Sequence, residues 1–126
     1  MAYRVHAEVT LGVELSFDFE IDIVVKYKNR TIAEDSVYAS DIVGTPDLVE
    51  IPVRVSVDVR ARSEGEAIDI AEEIISRFFE EAEFTVEGNF MRRPLTSGAV
   101  VEVGDVEITE IEEIPPEEVE EGICFE

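Results

Sequence analysis

The stretch YRVHAEVTLGVELSFDFEIDIVVKY, residues 3–27, decides the fold class. Every odd position in it is apolar, from Tyr3 to Tyr27, and most even positions are polar or charged. A repeat of two residues is typical of a β-strand with one buried face. At about 3.3 Å per residue, a single strand of this length would extend for about 80 Å, which is too long for a small domain. The stretch is therefore predicted to fold back on itself.

Gly12 is the only breaker within this stretch, so we predict a three-residue loop over residues 12–14, which keeps the odd positions on one face. The resulting hairpin places Leu11 opposite Leu15 on its buried side. Its polar pairs are Arg4 with Asp22, His6 with Glu20, and Glu8 with Asp18. Calcium takes about six to eight oxygen ligands, so the pair of Glu8 and Asp18 does not predict a metal site.

The alternating pattern returns over residues 49–61, which predicts a second long strand. Directly after it, Ser63 and Glu66 match a capping box, in which the hydroxyl of Ser63 accepts a hydrogen bond from the amide of Glu66. We expect the main helix to begin there and to cover about residues 64–82. Its predicted core stripe consists of Ala67, Ile70, Ala71, Ile74, Ile75, Phe78 and Ala82.

The remaining elements are shorter. A turn at Asn29 and Arg30 leads into a strand over 31–39, a strand over 83–87 follows the helix, and residues 88–98 read as a loop. A hairpin over 99–112 is predicted to turn at Gly104 and Asp105. Together these elements predict an α+β fold: a mainly antiparallel, or mixed, sheet of long amphipathic strands with one helix on its apolar face. We expect one domain over residues 1–114 and a solvated or frayed acidic tail over residues 115–126.

The charge of the chain is unusual, because 31 acidic residues stand against 10 basic ones among 126, a formal net charge of −21. Such a surface repels nucleic acid and anionic membranes, so direct binding to either is not expected. The acidity has two open interpretations: a surface that binds a basic partner, or an adaptation to concentrated salt or to heat. No signal peptide or membrane-spanning run is evident, which predicts a cytoplasmic protein.

The residues that usually carry catalysis are scarce. His6 and Cys124 are the only residues of their types, and nothing in the sequence places a nucleophile beside His6. Two such residues do not complete a structural zinc site, and the chain lacks both common glycine-rich phosphate loops. We therefore predict no catalytic residues, no metal and no cofactor, and an enzymatic role has no motif in its favour.

Two sets of residues are candidates for partner binding. The first is the segment 89–98, in which apolar side chains flank an adjacent arginine pair, a composition enriched at protein interfaces. The alternative for this segment is structural: its apolar residues cap the core and its arginines pair with glutamates. Its candidate residues are Phe90, Met91, Arg92, Arg93 and Leu95.

The second set is acidic. A row of four carboxylates on the predicted hairpin is joined by a dense C-terminal group, in which Glu110, Glu112 and Glu113 precede the tail. The acidic candidates are Glu14, Asp18, Glu20, Asp22, Glu117, Glu118, Glu120 and Glu121.

These features predict a non-enzymatic acidic module that binds another protein with a basic surface, in one version an inhibitor or decoy that occupies a nucleic-acid-binding surface. One alternative is a small ligand-binding or enzymatic domain whose acidity is only salt or heat adaptation. A further alternative is a structural subunit that assembles through strand edges. The sequence predicts neither the identity of a partner nor an oligomeric state.

Overall fold

The protein is described by a computed structural model over residues 1–15, 21–37, 47–90 and 93–126. It is mostly antiparallel β-sheet with one α-helix packed against it, which confirms the predicted α+β class. The strands are β1 Ala2–Leu15, β2 Ile21–Tyr27, β3 Arg30–Val37, β4 Asp47–Arg60, β5 Thr85–Phe90, β6 Arg93–Ile114 and β7 Ile123–Phe125. The helix α1 is Glu64–Glu81, and a short 3-10 turn covers Pro116–Glu118.

The chain divides into two compact units. The helical unit consists of Met1–Val9, Val53–Glu81 and Asp105–Glu126. The sheet unit consists of Thr10–Pro52 and Ala82–Gly104. The predicted single domain over residues 1–114 stays a prediction.

In the sheet unit, β2 lies between β3 and β5 and is antiparallel to both. The turn from β2 to β3 consists of Lys28 and Asn29, both with positive φ angles of 49° and 65°. Two such residues suit a tight hairpin, because their backbone twist matches that of the paired strands. The predicted turn at Asn29 and Arg30 is therefore one residue late.

The hairpin predicted at Gly12 is wrong, because β1 continues without a break through Gly12 to Leu15. Both edges of β2 are occupied by other strands, and Asp22 lies opposite Ser36 on β3 and Asn89 on β5 rather than opposite Arg4. The other predicted polar partners, Asp18 and Glu20, lie outside the described residues. A glycine within a strand does not require a turn, and the parity rule alone does not identify the neighbouring strand.

Strand β6 also runs further than predicted. It extends continuously from Arg93 to Ile114, so the loop over residues 88–98 is wrong for its described part, and so is the hairpin at Gly104 and Asp105. A Cβ atom at Gly104 would lie 3.0 Å from the backbone oxygen of Thr10 on β1. The glycine therefore permits a close approach of two backbones.

In the helical unit, α1 begins at the predicted cap, where the Glu66 amide donates to the Ser63 hydroxyl oxygen at 3.2 Å. The buried row of the helix is Ala67, Ala71, Ile75 and Phe79. The predicted stripe is confirmed for Ala67, Ala71 and Ile75 and missed Phe79. Of its other members, Ile74 is 39% exposed, and Ile70 and Phe78 are only half-buried. The two buried alanines keep the first half of the row small where the helix contacts its own unit's core.

The C-terminal residues return to the sheet. Strand β7 pairs antiparallel with β4, with Val55 opposite Phe125 and Val57 opposite Ile123. The Phe125 ring packs on Phe78 of α1 at a centroid distance of 5.9 Å. The predicted frayed tail over residues 115–126 is therefore wrong for Ile123–Phe125, which the alternating apolar residues Ile123 and Phe125 anchor to the core.

Candidate functional site

The polar face of the helical unit is built from β1, β4 and β7. The Ala61 amide donates to the Met1 carbonyl at 3.1 Å, and side-chain pairs link Arg4 to Asp58 and Glu8 to Arg54, so β1 and β4 run antiparallel in a single register. Strand β7 continues the same face beyond β4.

Within that register, His6 lies opposite Ser56, and Ser56 lies opposite Cys124 on β7. Residues directly opposite each other on adjacent strands share a face of the sheet. The three side chains therefore form one row across three strands, although they are separated by up to 118 positions in sequence.

Arg4 and Asp58 form a two-pronged ion pair next to this row. Arg4 Nε donates to Asp58 Oδ1 at 2.9 Å, and Nη2 donates to Oδ2 at 3.1 Å. The Glu120 amide donates a third hydrogen bond to Asp58 Oδ2 at 3.0 Å. The Asp58 side chain is only 5% exposed. This carboxylate therefore connects β1, β4 and the C-terminal segment.

Opposing effects set the pKa of Asp58. Burial raises it. The hydrogen bonds from Arg4 and from the Glu120 amide, together with the Arg4 charge, lower the pKa by more than burial raises it, so the pKa lies below its ordinary value. The same pairing raises the pKa of the Arg4 guanidinium. Both groups therefore remain charged across the neutral range.

His6 lies between two carboxylates. Its Nδ1 atom contacts Glu126 Oε1, and its Nε2 atom lies 3.7 Å from Glu112 Oε1 on β6. A protonated imidazole would donate toward both oxygens, whereas a neutral one donates from a single nitrogen. His6 therefore ties the last residue of the described chain to the neighbouring strands.

A polar cleft of about 320 Å³ opens on this face. It is lined by Arg4, His6, Ser56, Asp58, Glu120, Gly122, Cys124 and Glu126. The expectation that nothing places a nucleophile beside His6 is thus corrected, because the pairing of β7 with β4 brings Cys124 to the same cleft.

The chemistry of this cleft does not favour nucleophilic catalysis. Desolvation and the negative charge of Glu120, whose Oε2 atom lies 3.7 Å from the sulfur, raise the pKa of the Cys124 thiol. A reactive cysteine needs the opposite shift, toward the thiolate. The ring nitrogens of His6 face the carboxylates of Glu126 and Glu112. These contacts do not direct the imidazole toward the Cys124 sulfur. In the described part of the chain, no group of three or more His, Cys, Asp or Glu residues is arranged to hold a metal ion.

The most acidic feature is the segment from residue 105 to residue 126, here called the acidic segment. It includes the second half of β6, the 3-10 turn and β7, and it contains no lysine or arginine. Its ten acidic residues are all exposed. They are Asp105, Glu107, Glu110, Glu112, Glu113, Glu117, Glu118, Glu120, Glu121 and Glu126.

The predicted partner-binding residues are distributed over different elements. Glu117, Glu118, Glu120 and Glu121 all lie within the acidic segment. Glu14 lies on β1 and Asp22 on β2, two strands that do not pair as predicted, and Asp18 and Glu20 lie outside the described residues.

The apolar and arginine candidates are divided in the same way. Phe90 ends β5, while Arg93 and Leu95 lie at the start of β6, with Arg93 opposite Phe90. Met91 and Arg92 lie outside the described residues. Whether any of these residues binds a partner stays a prediction.

Sequence reasoning missed the cluster of Arg4, Asp58, Glu112 and Glu126. A signal for part of it exists, because an antiparallel pairing of residues 2–9 with 53–60 puts Arg4 opposite Asp58 and Glu8 opposite Arg54. Opposite charges at two cross-strand positions on the same face favour that register over the hairpin at Gly12.

Comparison with known proteins does not assign this chain to a family. No family model matches it, and neither the curated proteins nor the solved structures include a significant match. Among the described residues, no helix combines the length and apolar character needed to span a membrane.

Proposed function

We propose that this chain is a non-enzymatic interaction module that binds a basic surface of another protein through the acidic segment. The observation that carries this proposal is the composition of residues 105–126, which present ten exposed carboxylates and no basic side chain. Complementary charge of this kind accelerates association and selects against like-charged partners.

The charge is also distributed unevenly between the two units. The helical unit contains nineteen carboxylates and five arginines, a formal charge of −14, whereas the sheet unit contains twelve carboxylates and five basic residues, a charge of −7. Adaptation to salt or heat alone would be expected to spread charge over the whole surface. The concentration of charge in one segment therefore favours a binding role.

The arginines of the helical unit contact groups within that unit. Arg4 contacts Asp58, Arg54 contacts Glu8, and Arg77 contacts Glu73, all within the unit. Arg60 donates to the Pro116 carbonyl at 3.1 Å. Arg4 also lies 3.9 Å from Glu112, and His6 contacts Glu126. The other exposed carboxylates of the acidic segment are therefore the groups that a partner meets.

Assembly through strand edges is less well supported. Strand β6 has β1 as a neighbour in the sheet. The part of β6 in the helical unit, from Asp105 to Ile114, contains five carboxylates. Charged side chains along a strand discourage the addition of a further strand. The cleft at His6 is the feature that favours a ligand-binding alternative, but the protonated thiol and the paired charges within it give no reaction to propose.

The nature of the basic partner is a finer proposal. A protein surface that binds nucleic acid is rich in arginine and lysine, so the acidic segment would compete with nucleic acid for it. This decoy role predicts that a captured partner loses its nucleic acid when the module binds.

The experiment compares two variants of equal net charge. The segment variant carries Glu110→Gln, Glu113→Gln, Glu117→Gln and Glu118→Gln, and the helix variant carries Asp69→Asn, Glu72→Gln, Glu80→Gln and Glu81→Gln. All eight positions are exposed. The affinity of each protein for a lysine homopeptide is measured by calorimetry at low salt.

We expect the segment variant to bind the peptide about tenfold more weakly than the unaltered chain, and the helix variant to lose less than about threefold. Equal losses in the two variants would mean that net charge alone determines binding, and the proposal would then fail.

A further inference from the structure

The helix presents a second apolar row that its own unit buries only in part. Ile70, Ile74 and Phe78 recur at every fourth position, beside the buried row that ends at Phe79. Phe78 is covered in part by Phe125 of β7, whereas Ile70 is half-buried and Ile74 is 39% exposed. The apolar character of the row therefore exceeds what packing within the described residues uses.

Ile70 and Ile74 form one wall of a groove of about 420 Å³. Its floor consists of Val57 and Val59 on β4, which are 3% and 5% exposed, and its opposite wall includes Val119. All of these residues belong to the helical unit. A concave apolar surface with an exposed isoleucine at its margin is suited to an inserted apolar side chain.

The rim of the groove is acidic. Glu120 and Glu121 line it together with Arg60, whose guanidinium is bonded to the Pro116 carbonyl. Asp58 also lines it, but its carboxylate is bonded to Arg4. On the helix, Glu66 and Glu73 lie four positions before and three positions after Ile70, which places them on the same side. An occupant of the groove therefore meets carboxylates around an apolar centre.

We propose that this groove binds a basic amphipathic segment of a partner protein, with one or two apolar side chains inserted between Ile74 and Val119 and with lysines or arginines on the rim. This inference rests on the proposed function and specifies the partner. A second copy of the chain is disfavoured as the occupant, because each helical unit carries a charge of −14. Phosphate-bearing ligands meet the same repulsion.

Two synthetic peptides of identical composition test the proposal. Each has about 16 residues of lysine and leucine, with leucine at every third or fourth position in the patterned peptide and the same residues scrambled in the other. The groove predicts that the patterned peptide binds the unaltered protein at least about fivefold more tightly.

Variant Ile74→Ser should abolish that preference, because it removes the exposed wall of the groove. The matched control is Val101→Ser, which replaces another exposed β-branched apolar side chain with serine. Val101 is 54% exposed and lies in the sheet unit, away from the groove residues. This control should retain the preference. Thermal unfolding of both variants verifies that they fold, and the comparison of peptides on the unaltered protein does not depend on either variant.

Each outcome bears on a specific claim. Equal affinity for the two peptides, or a preference that survives Ile74→Ser, overturns the groove inference and leaves the proposed function intact. Sedimentation that detects self-association lost in Ile74→Ser would assign the groove to a second copy and would also overturn it. Equal binding of the lysine homopeptide by the segment and helix variants refutes the proposed function itself.

Discussion

Asp58 connects three parts of the helical unit, because it lies on β4, pairs with Arg4 on β1 and accepts a hydrogen bond from the Glu120 amide. We expect Asp58→Ala to lower the free energy of unfolding by about 2 kcal/mol, since it leaves a partly buried guanidinium and an amide without their acceptor. Urea denaturation measures this loss. Glu73→Gln, which breaks the exposed pair with Arg77, should cost less than about 0.5 kcal/mol. Similar losses in both would show that the cluster at Asp58 is not structural.

The pKa of Asp58 also predicts a pH dependence. Because the folded-state pKa lies below the unfolded value of about 3.9, the unfolded chain takes up the proton first as pH falls. The stability from this carboxylate is fully present above that value and is lost as pH falls through the folded-state pKa. The difference in unfolding free energy between the unaltered chain and Asp58→Asn should therefore shrink between pH about 5 and pH about 2. A difference that stays constant with pH would contradict this interpretation.

At the scale of the element, substitutions at Ile74 and Ile75 test which side of α1 faces the core. Ile75 is fully buried, whereas its neighbour Ile74 is 39% exposed. We expect Ile75→Ala to destabilise the protein by about 3 kcal/mol and Ile74→Ala by less than about 1 kcal/mol. Thermal and urea unfolding measure both. The reverse order would mean that Ile74, rather than Ile75, faces the core.

Strand β7 depends on the turn that precedes it. Gly122 has a φ angle of +86°, which disfavours any residue with a Cβ atom. Gly122→Ala should therefore cost about 1 kcal/mol and speed hydrogen exchange of the Glu126 amide, which donates to the Arg54 carbonyl at 3.0 Å. Gly65→Ala, in the first turn of α1 where nothing lies within 4 Å, should be neutral or stabilising. Unchanged exchange at Glu126 in Gly122→Ala would show that the turn does not hold β7.

The elements differ in how well their sequence predicts them. The alternation in β1 and β4 and the cap at Ser63 are local signals, and each appears in the structure where local physics places it. A glycine within an alternating stretch does not by itself predict a turn. Gly104 permits a close approach to Thr10, and β1 continues through Gly12.

Pairing partners are the harder part of the prediction, since parity determines which face a residue lies on but not which strand lies beside it. The candidate site depends on that missing information. His6 and Cys124 share a cleft only because β7 pairs with β4. The acidic segment, in contrast, was visible in part as the cluster from Glu110 to Glu121, because composition does not depend on pairing.

At the scale of the whole molecule, the net charge of −21 is concentrated rather than uniform. Ten carboxylates without a cation cover the acidic segment, and the same unit contains an apolar groove with a carboxylate rim. Self-repulsion at this density destabilises a compact state, and the proposed function accounts for it by a partner whose basic surface neutralises the carboxylates. This is the central claim of the proposed function.

The most direct test is the footprint of a lysine homopeptide on the protein, measured as backbone amide shifts by NMR at low salt. The proposed function predicts that the largest shifts fall on residues 105–126 and that they vanish as added salt screens the charges. Shifts spread evenly over both units, or centred on the sheet unit, would contradict it.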